Sequence, residues 1–433
     1  MRTISGASGT AAASSGLTGS SSTGCGPRSR TGSPSTAWHA RHVSAGPATS
    51  HSVSNPVADR APSTQNSREM SVPYLASLAG RRVLVTGHTG FKGSWLSLWL
   101  SRHGALVAGF ALEPPTEPSN FVASNVEGVL TEHHLADIRD QDRLGAVIDR
   151  FRPEVIFHLA AQTVVLDGYA SPAEAFSVNV MGTVGLLDVV RRLGLRCAIV
   201  AVSTDKVYAN DESGRPFSET DALGGHDPYS ASKAASELAV GAYRASFFPP
   251  GSIPVHGVAL ASARAGNVIG GGDWTPHGLV ADAFRALAAG RAIELRHPES
   301  IRPWQHVLEP LSGYLRLAAM LRGPDPARYC RAWNFGPGRA RPVDVRHVVE
   351  GLIAGWGGGA WEAPAESGGP HEAGILRISA ARARRELGAR PAWTVDQAVG
   401  RTAAWYRRYV DDPGSARQAC LDDIEAYERA AGR

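Results

Sequence analysis

From Arg81 onward, short apolar runs alternate along the chain with longer segments in which apolar residues recur every three or four positions. The short runs have the length and β-branched content of strands, and the longer segments have the periodicity of amphipathic helices. Strands that alternate with helices predict a parallel sheet covered on both faces, a doubly wound α/β fold. The predicted strands read RRVLVTG, ALVAGFAL, EVIFHLAA, RCAIVAVST and PVHGVALASA, and the predicted helices read SWLSLWLSRHG, LGAVIDRF, AEAFSVNVMGTVGLLDVVRRLG and residues 229–247.

The alternation of strands and helices begins after a long polar segment and weakens near residue 266. This pattern divides the chain into three predicted parts. Residues 1–75 are rich in Ser, Gly and Ala and have few large apolar residues, so we expect a disordered tail. Met70 lies directly before the first patterned segment, and the simplest interpretation is that the true start lies near it. Residues 76–265 are expected to form the main sheet domain, and residues 266–433 a smaller portion interleaved with the last elements of the sheet.

Charge and cysteine content add further constraints. The net charge of +4 in a chain of 433 residues comes entirely from the first 69 residues, so the predicted folded part is neutral and nucleic-acid binding is not expected. No apolar run approaches about 18 residues, so no membrane span is expected. Four widely spaced cysteines without a CxxC pair suit a reducing cytoplasm. The histidines do not cluster at metal-ligand spacing, so we expect no metal.

The first predicted strand runs into GHTGFKGSWL, where Gly87, Gly90 and Gly93 are spaced by three before a helix. Glycines there let the backbone approach a pyrophosphate, whose charge the helix N-terminus stabilises. This context predicts a Rossmann-like, dinucleotide-binding domain. Glu113 follows the second strand with no arginine nearby, which favours NAD over NADP. The residues expected to contact the cofactor are Gly87, Thr89, Gly90, Phe91, Gly93, Asp137, Ile138, Ala160, Tyr229 and Lys233, although Asp137 has the alternative interpretation of a helix N-cap.

Tyr229 and Lys233 lie four residues apart in DPYSASKAASEL, which places them on one face of a predicted helix. Together with the glycine loop and the STDK strand end, this Y-x-x-x-K pair resembles the extended branch of the short-chain dehydrogenase/reductase superfamily. The resemblance implies that Tyr229 is the general base on a substrate hydroxyl. It also implies that Lys233 holds the nicotinamide ribose and lowers the tyrosine pKa, and that Thr204 orients the substrate oxygen. A phenol with an ordinary pKa of about 10 needs such nearby positive charge to act as a base.

Asp205 and Lys206 follow Thr204 directly at the end of the fourth predicted strand. Epimerases of this superfamily need only the Tyr and a Ser or Thr, whereas a 4,6-dehydratase also needs an acid and a base to eliminate water across C5 and C6. The stretches GHTGFKGSWL, HLAAQ, NVMGTV, STDKVY, GGHDPYSASK, RAGNVIGGGDW and RPWQHVLEPLSGYL are similar to those of the CDP-glucose 4,6-dehydratases. The resemblance implies Asp205 as acid, Lys206 as base, and Asn267 and Arg302 as ligands of the substrate diphosphate in CDP-glucose.

Two stretches depart from that family pattern. Leu166 stands where the family has an arginine after HLAAQ, and residues 209–223 lack the usual tryptophans. Two alternatives therefore stay open, an inverting 4,6-dehydratase of UDP-N-acetylhexosamines and an NAD-binding protein without catalysis. The family also implies a homodimer that packs the helices of Asn179 and Tyr229 against those of a partner. His158, at a strand end, is interpreted as a packed histidine, and Asn179 as a polar packing residue near the site.

Overall fold

The computed structural model describes residues 73–338, 341–364 and 373–432. The predicted tail therefore lies outside the described residues, except for its last three positions. These positions belong to helix α1, Pro73–Ala76, in which Tyr74 and Leu75 are buried and the Tyr74 hydroxyl lies 2.7 Å from Ser312 Oγ. The prediction that residues 1–75 form the tail thus extends three residues too far, because two of those side chains pack against the folded part.

A seven-stranded parallel sheet forms the centre of the fold, in the order β3-β2-β1-β4-β5-β6-β11. The first six positions of this order are those of a dinucleotide-binding sheet, so the doubly wound, Rossmann-like fold is confirmed. The strands are β1 Arg82–Thr86, β2 Leu106–Ala111, β3 Glu132–Leu135, β4 Val155–His158, β5 Cys197–Thr204, β6 Val258–Ala265 and β11 Ala332–Phe335.

The five predicted strands are all present, and two strands of the sheet were not predicted. The short edge strand β3, EHHL, has no apolar pattern because all four of its side chains are only half-buried. Strand β11 returns to the sheet beside β6, with Ala332 paired to Ser262. Residues on both sides of the predicted boundary at 265 belong to one compact unit.

Helices cover both faces of the sheet, and the alternation of side chains in β1 shows how. Val83 and Val85 belong to one buried cluster, whereas Leu84 belongs to a second cluster on the opposite face. The helices are α1 Pro73–Ala76, α2 Phe91–Arg102, α3 Asn120–Ala123, α4 Gln141–Phe151, α5 Val165–Ala170, α6 Pro172–Phe176, α7 Gly182–Arg192, α8 Pro228–Ser246, α9 Ile253–His256, α10 Leu279–Ala288, α11 Leu308–Leu321, α12 Val345–Trp356, α13 Ala381–Glu386, α14 Val395–Asp411 and α15 Ala416–Ala431.

The portion after β6 adds three two-stranded sheets and six helices, α10 to α15, to the central sheet. Strands β7 and β10 are parallel, β9 and β12 are antiparallel, and β8 and β13 are parallel. This arrangement brings Asn267 and Arg302 to the same end of the sheet. The strands are β7 Val268–Ile269, β8 Ile293–Glu294, β9 Ile301–Arg302, β10 Gln305–His306, β12 Val343–Asp344 and β13 Trp361–Glu362.

One helical stretch, Pro172–Arg192, is long and apolar enough to cross a membrane by length and composition alone. It consists of α6, a π-helical turn at Ser177–Met181, and α7. Half of its most apolar window is buried inside the fold. Leu186 and Val190 are completely buried in the cluster that contains Leu84, as expected of a core helix.

Candidate active site

The turn after β1 requires glycine at two positions. Gly87 has a φ of +76°, and a Cβ atom there would lie 2.7 Å from the Ala160 amide nitrogen. A Cβ at Gly93 would lie 2.1 Å from the Gly87 carbonyl oxygen. Gly90 begins helix α2 without any side-chain cap, whereas α8 begins with a cap from Asp227. The residues therefore fit a dinucleotide, because a narrow backbone turn leads into a helix N-terminus that no side chain occupies.

A cleft of about 560 Å³ opens beside this turn at the carboxyl ends of the central strands. Glu113 also lines it, as expected for a residue near a ribose. All ten residues predicted to contact the cofactor line this cleft: Gly87, Thr89, Gly90, Phe91, Gly93, Asp137, Ile138, Ala160, Tyr229 and Lys233.

Asp137 is not a helix N-cap. Helix α4 is capped by Asp140, which accepts a hydrogen bond from the Arg143 amide. The Asp137 carboxylate instead binds Arg139, at 2.6 Å from the guanidinium. Hydrogen bonds from the Arg139 side chain hold the pKa of Asp137 below its usual value. Asp137 thus presents a fixed, ionised carboxylate to the cleft.

Strand β5 ends at Thr204 and passes into a 3₁₀ turn, Asp205–Val207. Thr204 Oγ1 donates to Asp205 Oδ1 over 3.1 Å and accepts the Lys206 amide over 3.3 Å. Asp205 is 2% exposed, and its second oxygen, Oδ2, is buried without a partner among the described residues. Burial raises the pKa of Asp205, and the nearby Lys206 opposes this effect. A carboxyl in this environment retains its proton more readily than one in water.

Helix α8 brings Tyr229 and Lys233 to the same cleft. Thr204 lies near the Tyr229 hydroxyl, and Lys206 Nζ lies 6.0 Å from the centre of the Tyr229 ring. Lys233 Nζ donates to the Val202 carbonyl over 3.0 Å, and burial lowers the pKa of Lys233 to about 8. Burial raises the pKa of the Tyr229 phenol, so the expected lowering by Lys233 is not found in this geometry.

Two charged residues near the reaction centre were not predicted, Lys92 and Asp273. Burial lowers the pKa of Lys92 to about 8, and the carboxyl groups of Asp205 and Asp273 oppose this effect. Burial raises the pKa of Asp273, which accepts a hydrogen bond from the Thr275 amide. The sequence signals were a lysine inside the glycine loop, GFKG, and an aspartate in GGGDW, a segment that also reads as a tight turn.

A second cavity of about 360 Å³ adjoins the cofactor cleft and shares Lys206, Asn267 and Asp273 with it. Arg302 and Leu166 line this second cavity. The Asn267 carbonyl accepts the Gln305 amide over 3.0 Å, which fixes the loop after β6. The two residues predicted to bind the diphosphate therefore lie beside the residues predicted to catalyse. Their roles stay predictions, and so do those of the catalytic residues.

Two buried polar residues support the site from behind. His158 is packed between Thr86 Oγ1, at 2.8 Å, and Thr183 Oγ1, at 3.1 Å, as the interpretation as a packed histidine requires. Asn179 lies in the π-helical turn, where its amide accepts from the Gln162 backbone and donates to Ser232 Oγ. It thereby joins the loop after β4 to α8.

Comparison with known proteins identifies the family. Residues 84–316, more than half of the chain, match the family model described as GDP-mannose 4,6 dehydratase. The chain is 45% identical over 332 residues to a CDP-glucose 4,6-dehydratase from Salmonella typhimurium, a match that covers 76% of this chain and 92% of that protein. The chain belongs to the nucleotide-sugar 4,6-dehydratase family. Membership in this family, within the extended short-chain dehydrogenases/reductases, confirms the resemblance found in the motifs.

Solved structures of similar fold include other nucleotide-sugar enzymes. A dTDP-glucose 4,6-dehydratase from Streptomyces venezuelae with NAD bound has a TM-score of 0.63 and 25% identity, and covers 77% of this chain and 99% of its own. A UDP-glucose 4-epimerase from Thermus thermophilus, also with NAD, has a TM-score of 0.63 and 26% identity, and covers 75% and 99%. Both neighbours agree with the predicted NAD cofactor. Among the described residues no group of three or more His, Cys, Asp or Glu side chains is arranged to hold a metal.

Proposed function

We propose that this member of the family converts CDP-D-glucose to CDP-4-dehydro-6-deoxy-D-glucose and water, with NAD as a recycled cofactor. The observation that carries the proposal is the turn Asp205–Val207. It places an acid and a lysine beside Tyr229, in a chain 45% identical to a CDP-glucose 4,6-dehydratase. An epimerase has no use for this pair, since epimerisation eliminates nothing.

Binding of NAD is assigned to the residues that line the cleft around the glycine turn. The diphosphate is expected at the Gly90 end of α2, and the adenosine ribose near Glu113, both in the cofactor cleft. Lys233 is expected to hold the nicotinamide ribose. When bound, the nicotinamide supplies reversible hydride chemistry, taking a hydride from sugar C4 and returning it to C6.

Tyr229 acts as the base on the C4 hydroxyl in this proposal. Its phenol lies near Thr204, which orients the substrate oxygen towards it. Burial raises the pKa of Tyr229, so the proton transfer depends on positive charge in the same cleft. Lys233, Lys92 and Lys206 all line that cleft and supply such charge.

The elimination is assigned to the adjacent pair. The C4 ketone acidifies the C5 proton, Lys206 removes this proton, and Asp205 gives its own proton to the departing C6 hydroxyl as water. Burial raises the pKa of Asp205, which favours the protonated form that the acid role requires. A protonated Asp205 also leaves the neighbouring lysine without an adjacent negative charge, so the two roles support each other.

Substrate binding is assigned to the cavity that contains Asn267 and Arg302. A guanidinium suits a diphosphate because its planar donors match the phosphate oxygens. Leu166 lines the same cavity in place of the arginine of the family pattern. A UDP-N-acetylhexosamine 4,6-dehydratase therefore remains the second candidate, since this substitution changes the polarity of the pocket.

Purified protein offered a panel of nucleotide sugars tests the proposal. Turnover of CDP-glucose, followed by the absorbance of the alkali-treated 4-keto product, is the expected result. Turnover of UDP-N-acetylglucosamine instead would assign the protein to the UDP-N-acetylhexosamine 4,6-dehydratases. Turnover of neither sugar would leave only the alternative of an NAD-binding protein without catalysis. In the same assay, Leu166→Arg is expected to change kcat/KM for CDP-glucose by about tenfold, because a charged group enters the substrate cavity.

We further propose a cytoplasmic homodimer. The π-helical turn and α8 pack side by side, and each presents exposed apolar residues, Met181 at 52% and Leu238 at 64% exposed. The buried free thiols of Cys197, Cys330 and Cys420 are compatible with a reducing compartment. Light scattering of the wild type and of Leu238→Glu tests the dimer, which this charge is expected to dissociate.

A further inference from the structure

A buried ion pair behind the active site has no part in the mechanism described above. Arg264 on β6 and Glu237 on α8 lie 2.8 Å apart, and their side chains are only 5% and 3% exposed. Glu237 Oε2 also accepts a hydrogen bond from Ser262 Oγ over 2.7 Å. Neither Arg264 nor Glu237 lines the cofactor cleft or the adjoining cavity.

The glutamate end of this pair leads to the residues assigned to C4 oxidation. Glu237 follows Lys233 by four residues and Tyr229 by eight, so all three lie along one face of α8. The Glu237 carboxylate raises the pKa of Lys233 against the larger, lowering effect of burial. The other charged or titratable groups that face Lys233 are Lys92 from the glycine loop and His158 from β4.

The arginine end leads to the residues assigned to elimination. Arg264 donates to the Tyr208 hydroxyl over 3.0 Å, and this hydroxyl donates to Asn334 Oδ1 over 2.6 Å. The Tyr208 ring is stacked on Phe217, with 5.0 Å between ring centres. Tyr208 follows Lys206 by two residues, so these contacts fix the end of the turn that carries Asp205 and Lys206.

The buried Arg264–Glu237 ion pair is an unfavourable way to stabilise the fold, if stability is its only role. A buried ion pair often contributes less to stability than a well-packed apolar replacement, because both charges lose their hydration. Here the cost is larger, since Arg264 Nε and Glu237 Oε1 are buried without a partner among the described residues. What the arginine provides is a planar group that reaches a carboxylate and a phenol at once.

We propose that Arg264 is a positioning residue. Through its contacts with Tyr208 and Glu237, it holds the turn Asp205–Val207 at a fixed position relative to helix α8. The proposal rests on the proposed function, because it assigns the two ends of the network to the two halves of the dehydration. It predicts that loss of one end impairs one half of the reaction more than the other.

Three variants separate the two ends. Tyr208→Phe removes one hydroxyl and keeps the stacked ring, whereas Glu237→Gln keeps the hydrogen bonds and removes the charge. Arg264→Lys keeps a charge beside Glu237 but loses the planar fork that also reaches Tyr208. Tyr427→Phe is the matched control, since it removes another buried hydroxyl, bound to Glu309 over 2.8 Å, outside both cavities.

The two half-reactions are measured separately. Elimination is followed by washout of C5 deuterium from labelled CDP-glucose, and oxidation by reduced-nicotinamide absorbance with CDP-6-deoxy-D-glucose, which has no leaving hydroxyl. We expect Tyr208→Phe and Arg264→Lys to slow elimination about tenfold with KM unchanged, and oxidation by less than about twofold. Glu237→Gln is expected to slow oxidation about tenfold, to slow washout only as far as formation of the C4 ketone limits it, and to move the pH profile of oxidation to lower pH.

Equal losses in both half-reactions, in proportion to a loss of thermal stability, would show a structural role only and overturn the proposal. Unchanged rates in all three variants would also overturn it. Wild-type protein without turnover would contradict the proposed function instead. The positioning claim is then decided by amide hydrogen exchange at Asp205–Val207, which Tyr208→Phe and Arg264→Lys must accelerate and Tyr427→Phe must not.

Discussion

The candidate active site lies at two strand ends of one sheet, and the sequence specifies these two ends in different ways. The turn after β1 requires glycine, because a Cβ atom at Gly93 would lie 2.1 Å from the Gly87 carbonyl oxygen. The turn after β5 depends on side chains whose properties come from distant elements. The pKa of Asp205, for example, is raised by burial within the fold and lowered by its neighbours Lys206 and Thr204 and by the distant Arg302 and Lys92. The comparison shows that binding geometry can be local in sequence, whereas acid–base chemistry depends on the tertiary fold.

Tyr229→Phe is the change with the largest expected effect. The ring remains buried, so the fold is kept, while the hydroxyl assigned to the C4 proton is lost. Turnover should fall by about 10²–10⁴-fold with little change in substrate affinity. Tyr243→Phe, on the same helix and outside the cofactor cleft, is the control and should retain wild-type kcat. Comparable losses in the two variants would remove Tyr229 from the chemistry.

Gly93→Ala tests the glycine turn. The new methyl group would overlap the Gly87 carbonyl, so the turn must shift and NAD binding should weaken by about 10–100-fold. Gly400→Ala in α14 is the matched control, since nothing lies within 4 Å of its Cβ position and alanine favours a helix. Calorimetric titration of NAD into both variants measures the difference, and equal affinities would contradict the steric account.

Asp205→Asn tests the turn after β5 through pH. Burial raises the folded-state pKa of Asp205, so its contribution to stability is present below the unfolded pKa and is lost as the pH rises through the folded pKa. The asparagine variant should therefore be inactive yet more stable than wild type at neutral pH, by a few degrees in Tm. The difference should vanish below about pH 4. A gain that does not depend on pH would show that the aspartate carboxyl is not perturbed by burial.

The same comparison explains what could be predicted from the sequence. The strand–glycine–helix pattern and the Y-x-x-x-K spacing are local, and all ten predicted cofactor contacts line one cleft. Strand β3 was missed because its polar residues form a half-buried edge without alternation. Lys92 and Asp273 were missed because their importance arises only where α2 and the loop after β7 meet beside Asp205. The lowered pKa that the resemblance implies for Tyr229 stays a prediction, because burial and the carboxyl groups of Asp205 and Asp227 raise this pKa in the present geometry.

The central claim is that Lys206 removes the C5 proton while Asp205 protonates the leaving hydroxyl. Lysine and methionine are similar in length, so Lys206→Met keeps the shape of the turn and removes the base. The measurement is washout of deuterium from C5 of CDP-glucose, with C4 oxidation of CDP-6-deoxy-D-glucose as the internal control. The account predicts that washout is lost while oxidation persists. Washout at the wild-type rate in the methionine variant would contradict it.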